Sequence, residues 1–188
     1  MEPILIIIGL ITLLPLIFVI AIYNGLVTIR NHVKDAWANI DTELKRRYDL
    51  IPNLVSCVKA YAAHEQATLE KVIELRNQCM SNHGSVAQQA GTEKLLVNGL
   101  NKLFAVAEAY PDLKANENFL QLQQELVNTE DRIQSARRFY NGNVRDYRNK
   151  TQQFPSNIVA GIFGFPPEAQ EFFEVEPVER EAVKVDIQ

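Results

Sequence analysis

Apolar residues recur every seven positions along the first half of the chain, in two interleaved series that lie three residues apart. This spacing places one apolar stripe along a long helix, because steps of three and four residues alternate around the helical period. The exceptions within the stripe are Arg47, Glu65 and Thr68. The first series holds Trp37, Leu44, Ile51, Val58, Glu65, Val72 and Cys79, and the second holds Ile40, Arg47, Leu54, Tyr61, Thr68 and Leu75.

The stripe predicts a helix over about residues 25–80, with Pro52 as its obstacle. Proline has no backbone N–H, so this position removes the helical hydrogen bond to the carbonyl oxygen of Tyr48. A kinked but continuous helix is favoured, because the sevenfold phase is the same on both sides of Pro52. The alternative is a hairpin, in which Asp49 caps a new helix that carries Pro52 in its first turn.

Two further helices are predicted after a break at residues 82–85, over about residues 86–109 and 116–153. Three helical stripes joined by short loops predict an all-α fold, an antiparallel up-and-down helical bundle. A break at Pro52 or a short C-terminal helix would add a fourth helix. The third helix repeats the sevenfold pattern with Phe119, Leu126, Ile133, Tyr140, Tyr147 and Phe154.

The segment Ile4–Ile22 has no charged residue and is long enough to cross a bilayer core of about 30 Å. No Lys or Arg precedes it, which argues against a cleaved signal peptide. Basic residues follow it, from Arg30 to Arg47, so the short N-terminus is expected outside and the body in the cytoplasm. The predicted parts are an external N-terminus (1–3), a transmembrane helix (4–23), a cytoplasmic helical bundle (24–165) and an acidic tail expected to be flexible (166–188).

Charge and motif content narrow the function classes. From Glu168 onward the chain has seven acidic and two basic residues, so the body is near neutral although the whole chain carries −4. Such a body does not suit nucleic-acid binding, which needs a cationic face. Cys57 and Cys79 are expected as core residues, the three histidines do not have metal-site spacing, and no nucleophile or nucleotide motif is present. No catalytic activity and no cofactor are predicted. The apolar residues 161–164 are interpreted as a lid or a membrane-touching turn.

Three segments resemble the LemA family, and they are called the first, second and third motif: RRYDLIPNLV (46–55), YPDLKAN (110–116) and ARRFYN (136–141). The resemblance covers about residues 23–173, and it implies an antiparallel helical bundle on one transmembrane helix in a bacterial cytoplasmic membrane. It implies no activity. This chain departs from the family pattern at Arg148, where Asn is usual, and the acidic tail beyond Phe173 looks like an addition.

Two functions follow as expectations. The first is a non-catalytic scaffold in the membrane, which forms a homo-oligomer or holds other membrane proteins. The second is a binding module for a small ligand or lipid headgroup, with Arg47, Arg137 and Tyr140 around a polar crevice. Arg47 is expected to pair with Glu93, Glu108, Glu125 or Glu130, and Glu65 with Arg76, Arg132, Arg137 or Arg138. The candidate structural or interaction residues are Arg47, Asp49, Pro52, Asn53, Glu65, Arg137, Tyr140 and Asn141.

Overall fold

The computed structural model of the protein describes residues 2–173, with the backbone alone for residues 2–12. Every regular element in this range is helical, which confirms the all-α prediction. The elements are α1 (Glu2–Lys59), α2 (Gln66–Ser81), α3 (Val86–Ala107), α4 (Pro111–Lys114), α5 (Glu117–Gln152), α6 (Ser156–Phe163) and a 3-10 turn at Pro167–Ala169.

The helix α1 continues through Pro52, as the sevenfold phase predicts, but it ends at Lys59 and not near residue 80. The carbonyl oxygen of Val58 accepts hydrogen bonds from the amides of Tyr61 (3.1 Å) and Ala62 (2.8 Å), which closes the helix end. A separate helix, α2, then begins at Gln66. The prediction of a single helix is therefore wrong in its second half. The break that creates an additional helix lies at residues 60–65 and not at Pro52. The short C-terminal helix is α6.

The described residues form two compact units. The first joins α1 up to Arg47 with Leu126–Glu171. Its two long helices are antiparallel: Trp37 of α1 packs against Tyr140 of α5, whereas Arg47, further along α1, contacts Glu130, which lies earlier in α5. The buried apolar residues of this unit include Leu26, Val33, Ala36, Ile40, Leu44, Leu126, Ile133, Tyr140, Val144 and Tyr147.

The second unit contains Tyr48–Glu125, and α2 and α3 form an antiparallel hairpin within it. Ser85 caps α3 in a capping box with Gln88, which fixes the helix start where the sequence places it. A Cβ at Gly99 would lie 2.9 Å from Leu75 Cδ1, so glycine allows the two helices to approach closely. The buried residues here include Ile51, Leu54, Val58, Leu69, Val72, Leu75, Leu96, Leu103 and Leu113.

The C-terminal region differs from expectation in two ways. Phe154, predicted on the apolar stripe, lies beyond the end of α5 and is 79% exposed. Residues 166–171, predicted as the start of a flexible tail, are fastened to α5: the hydroxyl of Tyr147 donates to the carbonyl of Pro166 (3.2 Å), and Arg148 Nη2 donates to that of Gln170 (2.8 Å). Most of the predicted acidic tail lies outside the described residues.

The N-terminal half of α1, as far as its side chains are described, is more exposed than the rest of the helix. From Leu13 onward α1 contains a stretch long and apolar enough to cross a membrane. Its large side chains stand exposed, whereas apolar residues from Leu26 onward are buried on one side. The exposed residues of this stretch are Leu13, Leu14, Leu16, Ile17, Phe18 and Ile20.

Candidate functional site

Arg47 is the most buried charged residue of the first unit. It occupies a stripe position of α1, is 1% exposed, and its Nη1 lies 2.7 Å from Glu130 Oε2 on α5. The side chain of Glu130 remains 29% exposed, so one end of the pair touches solvent. Glu130 is one of the four acids expected as partners of Arg47. An enclosed guanidinium needs such a partner, because burying a charge without compensation is costly.

The next residue, Tyr48, belongs to the second unit and turns to a different helix. Its hydroxyl donates to Oε1 of Glu93 on α3. Both residues are buried, and Glu93 is only 2% exposed. Sequence reasoning placed Glu93 among the partners of Arg47 and missed this contact. The signal was available in part, since Glu93 precedes Leu96 and Leu100 at helical spacing on the buried face of α3.

Pro52 remains inside α1 because a side chain replaces the missing backbone donor. The amide at position 52 would have served the carbonyl oxygen of Tyr48, and Arg76 Nε donates to that oxygen at 2.7 Å instead. Arg76 lies on α2, so this bond also ties α2 to α1 within the second unit. The sequence predicted that Pro52 would leave the Tyr48 carbonyl without its helical bond, and the structure identifies Arg76 as the side chain that binds it.

Asp49 and Asn53 complete the first motif and are exposed. Asn53 lines a shallow depression of about 460 Å³ together with residues at and just beyond the end of α1, Asn116 of the second motif and the start of α5. In its wall the thiol of Cys57 donates to Asn116 Oδ1 at 3.7 Å, and partial burial raises the pKa of the Cys57 thiol. The lining residues are Asn53, Ser56, Cys57, Ala60, Tyr61, Asn116, Asn118 and Leu122.

Asn116, the last residue of the second motif, caps α5. Its Oδ1 accepts from the amide of Phe119 (3.0 Å), three residues later, and its Nδ2 donates to the hydroxyl of Tyr61 (3.0 Å). Asparagine directly before a helix is a strong N-cap signal, so this role was readable from the sequence but was missed. The residue therefore starts α5 and holds the end of α1 with one side chain.

Glu65 does not occupy a core position, and the expected core ion pair with an arginine is wrong. It is the half-buried residue directly before α2, and its side chain makes no cap hydrogen bond. The hydroxyl of Tyr110, in the second motif, donates to Glu65 Oε1 at 3.5 Å. The error follows from the break at residues 60–65, which takes Glu65 off the stripe of α1.

The third motif contributes Tyr140 to the core of the first unit. Tyr140 is 2% exposed, its ring meets Trp37 edge-on at 5.4 Å between centroids, and its hydroxyl donates to the carbonyl of Glu171 at 2.8 Å. The pKa of Tyr140 is raised to about 12, first by burial and then by the Glu171 carboxylate, while Arg148 acts in the opposite direction. Arg137 and Asn141 are half-buried.

The expected polar crevice would need Arg47 and Tyr140 to face a ligand. Both side chains are almost wholly enclosed, and each already binds an internal partner. Across residues whose side chains are described, no group of three His, Cys, Asp or Glu could hold a metal ion. The arrangement as a whole supports helix-to-helix attachment, and a ligand-binding role for these residues stays a prediction.

Comparison with known proteins gives a family match. The profile of the LemA family matches residues 36–187, a range that extends through the acidic tail, so the tail is not an addition. The chain is 27% identical over 180 residues to magnetosome proteins MamQ 1 and MamQ 2 of Paramagnetospirillum magneticum, covering 82% of this chain and 65% of each relative. It is 28% identical over 140 residues to protein LemA of Metamycoplasma hominis, covering 73% of this chain and 63% of that protein. The chain thus spans about two thirds of the length of these relatives.

Proposed function

The chain belongs to the LemA family, and from that premise we propose that it is a membrane-anchored, non-catalytic scaffold. Its helical body self-associates or holds other membrane proteins. The observation that carries the proposal is α1, one uninterrupted helix over Glu2–Lys59. A continuous helix transmits the position of its apolar end to its buried end without a flexible joint.

The exposed apolar half of α1 supports the anchor. A helix that is apolar on all sides needs either a protein core or lipid around it. Six large side chains between Leu13 and Ile20 are half exposed or more, so the described part of the protein does not supply that cover. A lipid bilayer would remove these side chains from water at a gain of about 25 cal/mol for each Å².

The interior contacts support the non-catalytic part. Arg47, Tyr48 and Tyr140 belong to the motifs that resemble the family, and all three are buried with internal partners. A catalytic acid, base or nucleophile has to reach a substrate. These side chains instead connect one helix to another or to the segment after α6.

Self-association is supported by apolar side chains that stand in water on α5. Phe139 is 59% exposed and Val127 is 49% exposed. Large aromatic surface on a folded body favours a contact with another protein. We therefore expect the full chain in lipid nanodiscs to give one assembly mass by native mass spectrometry, a multiple of the 21.4 kDa chain.

The variant Phe139→Ser should lower that mass toward the monomer, and Asp131→Asn, an exposed change on the same helix, should leave it unaltered. A monomeric mass for the parent in nanodiscs and in several mild detergents would argue against self-association. The scaffold would then have to hold other membrane proteins, and a second membrane protein should be captured with it at constant stoichiometry.

A second candidate is a binding module for a small ligand or lipid headgroup. It is favoured by the depression in which Asn53 of the first motif and Asn116 of the second lie together. An additional bound mass that disappears in Asn53→Ala and persists in the exposed control Asp49→Ala would support this candidate over the scaffold.

The proposed location is the bacterial cytoplasmic membrane, with the N-terminus outside and the body in the cytoplasm. The basic residues that follow the apolar segment, from Arg30 to Arg47, support this orientation. Alkaline phosphatase fused to the C-terminus should be inactive, whereas a green fluorescent protein fused there should fluoresce. An active phosphatase fusion would contradict this orientation and show that the body lies outside the cytoplasm.

A further inference from the structure

The helix α6 (Ser156–Phe163) has two apolar faces. Val159 and Ala160 are buried at 4% and 3% exposure and attach the helix to the body. On the other side Ile158 and Ile162, one turn apart, are 54% and 72% exposed. A helix that is apolar on both sides is normally enclosed, so the outer face of α6 lacks the cover that its composition calls for.

Ring contacts place α6 beside the end of the apolar segment of α1. The centroid of Tyr23 lies 5.0 Å from that of Phe163 and 5.8 Å from that of Phe165. Tyr23 directly follows Ile4–Ile22, a segment whose helical rise of about 28 Å matches the hydrocarbon core of a bilayer. Tyrosine is enriched at the level where hydrocarbon meets headgroups. The contacts with Tyr23 put α6 at the same level.

Basic side chains lie next to this aromatic group, on the side away from the apolar segment. The guanidinium carbon of Arg30 lies 5.0 Å from the centroid of the Phe165 ring. Lys150 passes close to Gly25, since a Cβ added there would lie 3.9 Å from Lys150 Cε. Long basic side chains just beyond a membrane segment reach toward lipid headgroups. Aromatic rings followed by basic groups reproduce the polarity of the bilayer boundary.

We propose that α6 is an interfacial helix, whose outer face inserts into the boundary between headgroups and acyl chains of the bilayer that α1 crosses. The inserted residues are Ile158 and Ile162. The inference rests on the anchor in the proposed function and goes beyond it, because it gives the body a second membrane contact that fixes its orientation on the surface. Lipid is the occupant that the surroundings of this face favour, because the aromatic contacts of Tyr23 and the basic Arg30 match the polarity of a bilayer boundary.

The test uses the full chain in lipid vesicles, with one nitroxide label at a time in a Cys57→Ser, Cys79→Ala background. Labels are placed at Ile158→Cys and Ile162→Cys on α6. Leu120→Cys is the matched control, an exposed aliphatic position near the start of α5. Collision with oxygen, which concentrates in lipid, is compared with collision with a water-soluble nickel complex. We expect the ratio of oxygen to nickel collisions at both α6 positions to exceed that at the control several-fold.

Equal ratios at α6 and at the control position would overturn the inference. Dipolar broadening between labels at position 162 of different copies would also overturn it, because a second copy would then cover the face. Flotation of the vesicles separates the two proposals. Protein that floats with water-exposed α6 labels contradicts the interfacial helix alone, whereas protein that fails to float contradicts the anchor as well.

Discussion

Two consecutive residues of α1 contact other helices by different chemistry, Arg47 within the first unit and Tyr48 within the second. In the first unit Arg47 forms an ion pair with Glu130, a partner that keeps 29% of its side chain exposed. In the second unit Tyr48 reaches the buried Glu93, and its own carbonyl accepts a hydrogen bond from Arg76. Neighbouring helical residues point about 100° apart, so adjacent positions naturally serve different partners.

The difference explains why Arg47 and Pro52 interrupt the apolar pattern of α1: each leads to a contact with another helix within its own unit. A charged residue at a stripe position has to find a partner on another helix, and so does a carbonyl freed by proline. Arg47 and Pro52 therefore each impose one contact at a fixed place along α1. Contacts of this kind can fix which helices pair and in which register, as single buried polar residues do in coiled coils.

The largest effect is expected from breaking the ion pair of the first unit. The change Glu130→Ala removes the carboxylate 2.7 Å from Arg47 Nη1 and leaves a guanidinium that is 1% exposed without that compensation. Loss of one member of a buried pair costs about 3–5 kcal/mol of unfolding free energy. For a chain of this size the melting temperature should fall by roughly 6–20 °C.

The neighbouring change Asp131→Asn is the control, because Asp131 is exposed on the same turn of α5. It should alter the unfolding free energy by no more than about 0.5 kcal/mol. If Glu130→Ala melts with the control, the pair does not stabilise the first unit, and the contrast between the two units disappears.

A smaller effect is expected in the second unit from the hydrogen bond between Arg76 and the Tyr48 carbonyl. The change Arg76→Ala removes the donor at 2.7 Å from the Tyr48 carbonyl and should cost about 1–3 kcal/mol. In a Pro52→Ala background the new backbone amide can serve that carbonyl, so the cost of Arg76→Ala should shrink. The measurement is chemical denaturation of all four combinations.

Lys71→Ala on the same helix is the control, since Lys71 pairs with Glu74 at an exposed site and such pairs contribute about 0–1 kcal/mol. If Arg76→Ala lowers the free energy of unfolding equally with proline or alanine at position 52, then Arg76 does not replace the hydrogen bond that Pro52 lacks.

The positions of most helices were predictable because they depend on local signals. Apolar periodicity gave α5 within one residue at each end, and the break at residues 82–85 gave the start of α3. Arg47 was predictable as a polar exception on an apolar stripe, together with the small set of acids from which its partner comes. These features are set by residues close together in the chain.

The break after Lys59 was not predictable, because residues 60–65 contain neither glycine nor proline and the sevenfold phase resumes at Val72. The turn is supported by contacts with residues far along the chain, from Asn116 to Tyr61 and from Tyr110 to Glu65. The continuation of α1 through Pro52 was predicted, but its replacement donor Arg76 was not, because that residue lies on another helix. Contacts of high sequence separation leave little trace in a local pattern.

The smallest effect is expected from a neutral hydrogen bond in the first unit. The change Tyr140→Phe removes the bond to the carbonyl of Glu171, at 2.8 Å, and should cost about 1 kcal/mol near neutral pH. The folded pKa of Tyr140 is raised to about 12, above the ordinary value of 10. The folded state therefore holds this proton more tightly than the unfolded state, and stability is lost as pH rises from 10 to 12.

Denaturation at pH 9, 10, 11 and 12 checks this prediction. The parent should lose stability across that range more steeply than Tyr140→Phe, which cannot ionise there. Tyr147, whose pKa burial also raises, remains in both proteins and supplies a common background. Parallel pH profiles for parent and variant would show that Tyr140 does not control the alkaline loss.

The central claim is that the polar motif residues hold helices together and do not form a reaction or binding site. Thermal melts of Arg47→Met, Glu130→Leu and the double variant, in the same detergent, test it most directly. If the pair is structural, each single variant melts well below the parent, and the double variant recovers much of the loss because neither the guanidinium nor the carboxylate then has to be desolvated. If the losses instead add, so that the double variant melts below both single variants, the claim is contradicted.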